Sequence, residues 1–154
     1  MYNKITVPLD GSRLAECVFP HVEAFIEEYH VGNIVFVRIV EPAVIFQSGE
    51  YPISPEILRE SESAGKSAAK DYLDQIVNRF KQEGTELQSE VLLGRVAESL
   101  VDFAEKNGSD LILIASHGRS GVRRWVRGSI ADKILHSSTV PVLIVRALAS
   151  EGES

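Results

Sequence analysis

Hydrophobic positions in this chain follow two spacings that alternate from one end to the other. Ile5-Thr6-Val7-Pro8-Leu9 forms a short strand-like run, stopped at Asp10-Gly11-Ser12, a turn and helix-start signal. Leu14, Cys17, Val18, His21, Val22 and Phe25 then recur at helical spacing, which predicts a helix from about Arg13 to Tyr29. Pro20 inside that pattern predicts a kink or a shifted start. From Asn33 to Val40 the chain is β-branched and almost continuously apolar, as in a strand covered on both faces of a parallel sheet. Glu41 to Pro55 holds Pro42, Gly49, Pro52 and Pro55 and reads as a long irregular excursion.

A long polar helix is predicted from about Glu56 to Glu83, with Ile57, Ala64, Ala68, Tyr72, Ile76 and Phe80 along one stripe and Gly84 as its stop. Glu86 to Leu93 is a third strand. Gly94-Arg95-Val96-Ala97-Glu98 opens a helix with Val96, Leu100, Val101 and Ala104 inside, ended by Asn107-Gly108. Leu111 to Ala115 is a strand, Gly128 to about Ser137 a helix and Val140 to Val145 a last strand. The order is β-α-β-α-β-α-β-α-β. It predicts an α/β fold in which one doubly wound, five-stranded parallel sheet carries helices on both faces.

Composition narrows the picture. A chain of 154 residues suits one domain, 1–147, with a small acidic tail at 148–154 expected to fray. At 44% hydrophobic and 25% charged residues the balance is that of a globular domain, not a disordered one. Apolar runs fall well short of the roughly 20 residues that span a bilayer, so no membrane association is expected. The first residues lack a signal-peptide layout, and Cys17 is the single cysteine; both lead to the expectation of a cytoplasmic protein. Cys17 falls on the apolar stripe of the first helix and reads as a core residue. A net charge of −6 argues against nucleic acid as a partner. Arg119, Arg123, Arg124 and Arg127 nevertheless form a cationic island with no acidic residue between them.

That island lies in the segment Ala115-Ser116-His117-Gly118 to Gly128-Ser129, between a strand and a helix start. A glycine-bearing loop feeding a helix N-terminus offers free N–H groups and the positive end of a dipole to an anion. In a doubly wound sheet, ligands bind beyond the carboxyl ends of the strands at the point where strand order reverses. Pro8-Leu9-Asp10, Ile39-Val40-Glu41 and Ala115 to Gly118 all stand at such ends. Asp10 there can accept from a ribose hydroxyl or hold Mg²⁺ through water, or it can simply form the turn ahead of Gly11. Neither a P-loop nor a G-x-G-x-x-G turn is present. The residues alone point to a nucleotide or another phosphorylated ligand.

These motifs, from Ile5-Thr6-Val7-Pro8-Leu9-Asp10-Gly11-Ser12 to Val140-Pro141-Val142-Leu143-Ile144-Val145, resemble the universal stress protein family over nearly the whole length. The ATP-binding branch of that family carries Gly, two residues, Gly, nine residues, then Gly-Ser/Thr. Gly118, the nine residues after it and Gly128-Ser129 match, and Ala115 replaces the first glycine. The resemblance implies a Rossmann-like sheet of order 3-2-1-4-5 and a site for ATP or AMP. Pro8, Leu9, Asp10 and Ile39 would hold base and ribose, Ile114 and Ala115 would border them, and Gly118, Gly128, Ser129 and Ile130 would hold phosphate. His117 would order the turn or donate a hydrogen bond, and Arg119 would add a charge-assisted contact. The resemblance also implies a homodimer through Val140–Val145.

Other residues carry less. His21, His30 and His136 are scattered singly and imply no metal site. Trp125 either packs the arginine loop down or stands at a partner surface. No Ser-His-Asp order or carboxylate pair appears, so a stress-responsive binding module is expected before an enzyme, with slow ATP hydrolysis needing only Mg²⁺ and an ordered water. The alternatives are an adenylyl- or phosphoryl-transfer enzyme on the same fold, and a dimerising module that has lost its nucleotide.

Overall fold

The computed structural model describes residues 2–42, 54–116 and 130–147. Among these residues five strands run parallel: β1 (Lys4–Pro8), β2 (Asn33–Val40), β3 (Glu86–Leu93), β4 (Leu111–Ala115) and β5 (Val142–Val145). The α-helices described between them are α1 (Phe19–Glu27), α2 (Pro55–Phe80), α3 (Val96–Lys106) and α4 (Ile130–Ser137). The strand order is β3-β2-β1-β4-β5, so the doubly wound sheet expected from the sequence is the one formed. The chain winds outward from β1 in both directions, and the order reverses between β1 and β4.

Side chains alternate across the pleat and build two core layers. Ile5, Val7, Ile34, Phe36, Leu111 and Leu113 pack with α1 and α2. Val35, Val37, Ile112 and Ile114 pack with α3 and α4. Thr6 is the polar exception at the centre, and its Oγ1 lies 2.6 Å from Ser109 Oγ with both groups buried. Asp110 Oδ2 accepts from the amides of Asn3 and Lys4 at 2.7 and 2.8 Å, which ties the start of β1 to the turn before β4.

Pro20 acts by shifting the helix start. Ala15–Val18 forms a single 3₁₀ turn, and α1 begins at Phe19 with Pro20 in its first turn, where a missing N–H costs no hydrogen bond. The second helix begins at Pro55, where the Ser54 hydroxyl accepts from the Ile57 amide at 3.3 Å. Its buried stripe is Ala69, Leu73, Ile76 and Phe80: Ile76 and Phe80 are buried as expected from the sequence, and the rest of the expected stripe is corrected. Ile57 is 58% exposed, Ala64 and Ala68 are exposed, and Tyr72 is half-buried. A four-residue repeat advances about 40° around a helix at each step, so it leaves the core face within a few turns. The helix also ends at Phe80; Gly84 (φ +95°) serves the turn into β3 instead. Phe80 joins three elements, its ring 5.1 Å from that of Phe19 and 5.9 Å from that of Phe36.

In α3 the inner face is Ala97, Leu100, Val101 and Ala104, with Val96 only half-buried. Pro141 cannot donate to a ladder; its carbonyl accepts from the Ile112 amide at 2.9 Å and β5 proper starts at Val142. No helix among the described residues is long and apolar enough to cross a membrane.

Candidate functional site

The crevice at the switch point starts from the end of β1. The Leu9 amide donates to the Val37 carbonyl at 2.8 Å, carrying the pairing one residue past Pro8. Gly11 then takes φ +86°, the left-handed region that glycine adopts without strain. Asp10 Oδ1 accepts from the Ser12 amide at 2.9 Å and from the Ser12 hydroxyl at 2.5 Å. The same hydroxyl accepts from the Ala15 amide at 3.2 Å. Asp10 is therefore a turn-forming residue, and the turn fixes its carboxylate at the carboxyl edge of the sheet.

The sequence-predicted residues divide between the two faces. Ile39 and Ile114 belong to the α3–α4 layer. Pro8 pairs with Val37 of that same layer, and residues aligned in a parallel ladder share a face. Ile130, 45% exposed, opens α4 on that side. Leu9 and Ala115 instead face the α1–α2 core, where both are buried. Ala115 continues the regular ladder opposite Val145, and among the described residues His30 is the one non-glycine with positive φ. The backbone at Ala115 thus makes no demand that only glycine could meet. Ser116 anchors the end of β4: its amide donates to the Val145 carbonyl at 2.8 Å, and its hydroxyl accepts from the Ala147 amide at 3.0 Å. His117, Gly118, Arg119, Gly128 and Ser129 lie outside the described residues, as do the other loop arginines and Trp125.

A polar cluster beside Asp10 was not singled out from the sequence. Arg38 interrupts the apolar run of β2 on the face of Ile34 and Phe36. Its guanidinium lies 5.8 Å from the centroid of the Tyr72 ring. The Tyr72 hydroxyl donates to Glu16 Oε1 at 3.2 Å. Burial above all, then Glu16 and next Asp10, push the Tyr72 phenol well above its ordinary range, with Arg38 opposing. The available signal was that single charge in an otherwise apolar strand.

Elsewhere, His21 and His30 are exposed, and His136 Nε2 lies 3.3 Å from Asp132 on the same helix. No group of three His, Cys, Asp or Glu able to hold a metal occurs among the described residues. Cys17 is half-buried rather than fully in the core, and burial pushes its thiol up against an opposing backbone hydrogen bond. An open groove of about 340 Å³ lies toward the β3 edge, lined by Leu92, Leu93, Ser99, Phe103 and Lys106 among others.

Comparison with known proteins agrees with this architecture. The model of the universal stress protein family matches residues 1–146. The chain belongs to the universal stress protein family. It is 28% identical over 155 residues to universal stress protein MJ0577 of Methanocaldococcus jannaschii, covering 95% of this chain and 96% of that one. The solved structure of MJ0577 superposes with a TM-score of 0.82 at 26% identity, covering 97% and 99% of the two chains. Two more distant structures share the fold. One is a universal stress protein in complex with cAMP (TM-score 0.69, 18% identity, 96% and 98% covered). The other is an Arabidopsis thaliana family protein with AMP bound (TM-score 0.68, 15% identity, 99% and 96% covered).

Proposed function

We propose that this protein is a regulatory module that binds an adenine nucleotide, ATP or AMP, in the crevice between β1 and β4. The observation that carries the reading is the convergence of Pro8, Asp10, Ile39 and Ile114 at the switch point of the sheet. An apolar step formed by Pro8, Ile39 and Ile114 suits a purine base, and the fixed carboxylate of Asp10 suits ribose hydroxyls. Leu9 and Ala115 support this edge from the core side. Ile130 at the start of α4, together with Gly118, Gly128 and Ser129, would offer amides to phosphate, and Arg119 and His117 would add polar contacts. The relatives with AMP and cAMP bound support the same ligand class.

Asp10 suits Mg²⁺ through water, with the nucleotide's phosphates as the direct ligands. When bound, the ion would neutralise phosphate charge and so permit slow hydrolysis of ATP. β5 is an edge strand, with Leu143 37% exposed, which supports a homodimer through Val140–Val145. A cytoplasmic location accords with a single half-buried cysteine. Calorimetric titration of the full chain with Mg·ATP and with AMP tests the reading. One saturable site per chain, lost in Gly128→Val, is expected; no binding at millimolar nucleotide would overturn it.

A further inference from the structure

Arg38 is placed to control how Asp10 is presented. A Cβ on Gly11 would land on the Arg38 guanidinium, nearest Nη1 and 3.5 Å from Cζ, so that guanidinium lies directly over the backbone of the turn. The Tyr72 ring flanks the same guanidinium at 5.8 Å, and Tyr72 in turn donates to Glu16 on the 3₁₀ turn that follows Ser12. Four segments meet here: β2 through Arg38, α2 through Tyr72, the 3₁₀ turn through Glu16, and the Asp10-Gly11-Ser12 turn. Gly11, at φ +86°, has no side chain to restrain it, so a lid over it adds to the restraint that the Asp10–Ser12 hydrogen bonds supply. A planar guanidinium held between a ring and a backbone is well suited to that role.

We infer that Arg38 is a positioning residue for the nucleotide, fixing the Asp10-Gly11-Ser12 turn so that the Asp10 carboxylate meets the ribose hydroxyls. The inference rests on the nucleotide reading above. Arg38 belongs to the α1–α2 side of the sheet and acts through Asp10, without touching the ligand itself. Its effect on binding must therefore depend on the hydroxyls that Asp10 would contact. A role confined to holding the fold together would weaken every nucleotide alike.

The test uses the full chain and whichever nucleotide binds tighter, ATP or AMP, beside its 2′,3′-dideoxy analogue. Wild type, Arg38→Met, Asp10→Asn and the double variant are titrated calorimetrically. Arg38→Met should weaken the natural nucleotide about tenfold and the dideoxy analogue by less than about twofold, a coupling expected where one residue acts through another. The double variant should be no weaker than Asp10→Asn. Should Arg38→Met fail to fold, Arg38→Lys carries the same comparison, with a smaller loss confined to the natural nucleotide. Equal losses for both ligands, or additive losses in the double variant, would overturn the positioning role and leave the nucleotide reading standing. Failure of wild type to bind either nucleotide would instead overturn that reading, and this inference with it.

Discussion

Ala115 stands opposite Val145 in the β4–β5 ladder, with its methyl group in the α1–α2 core beside Leu113. The ATP-binding motif that this segment resembles has glycine at this position, so the methyl is the departure that matters most. It points into packing that uses it. Ala115→Gly should therefore leave nucleotide affinity within about twofold while lowering stability by about 1 kcal/mol through added backbone freedom. Urea unfolding and titration of the same variant check both halves; a large gain in affinity would show that the methyl obstructs the site.

The Thr6–Ser109 contact gives a second prediction. Thr6→Val strands a buried hydroxyl on Ser109 and should cost about 1–3 kcal/mol. Adding Ser109→Ala should recover part of that loss, because the orphaned group is gone. Chemical denaturation of the single and double variants measures it.

Leu73 is fully buried on α2 and Ile57 is largely exposed on the same helix. Leu73→Ala should cost about 2–5 kcal/mol. Ile57→Ala should stay within about 0.5 kcal/mol. Equal effects would mean that the helix packs along the stripe its four-residue repeat suggests.

Tyr72 makes a prediction about pH. Its phenol is raised in the folded chain by burial and by Glu16, so the folded state keeps the proton where the unfolded state releases it, above about pH 10. The stabilisation is present in full below that pH and is lost as pH rises further. Tyr72→Phe should flatten the alkaline fall in stability, followed by urea midpoints at pH 8 and at about pH 10.5. An unchanged slope would mean that the Tyr72 phenol is not raised in the folded chain.

How much was legible in the sequence follows from where each signal resides. β2, β3 and β4 carry their signal locally, in unbroken or alternating apolar runs, and their limits match those read from the chain. The face of α2 is not read correctly from the pattern because Ala64 and Ala68 are apolar but lie on a four-residue repeat that turns away from the core face. Asp10, Ile39 and Ala115 could be placed at one end of the sheet because a doubly wound topology fixes where strand ends meet, whereas Ile114 came only from the family resemblance. The cluster of Glu16, Arg38 and Tyr72 could not, since its members are joined only by tertiary packing across three elements. The arginine-rich half of the motif, 117–129, lies outside the described residues, so its part in the site rests on spacing and resemblance alone.

The central claim is that an adenine nucleotide occupies the crevice between β1 and β4. Backbone amide shifts of the isotope-labelled full chain, followed by NMR as AMP or Mg·ATP is added, test it most directly. The account predicts saturable shifts centred on Leu9, Asp10, Ile39, Ala115 and Ser129. Silence at millimolar nucleotide, or shifts gathered instead around Leu92, Leu93 and Phe103 at the β3 edge, would contradict it.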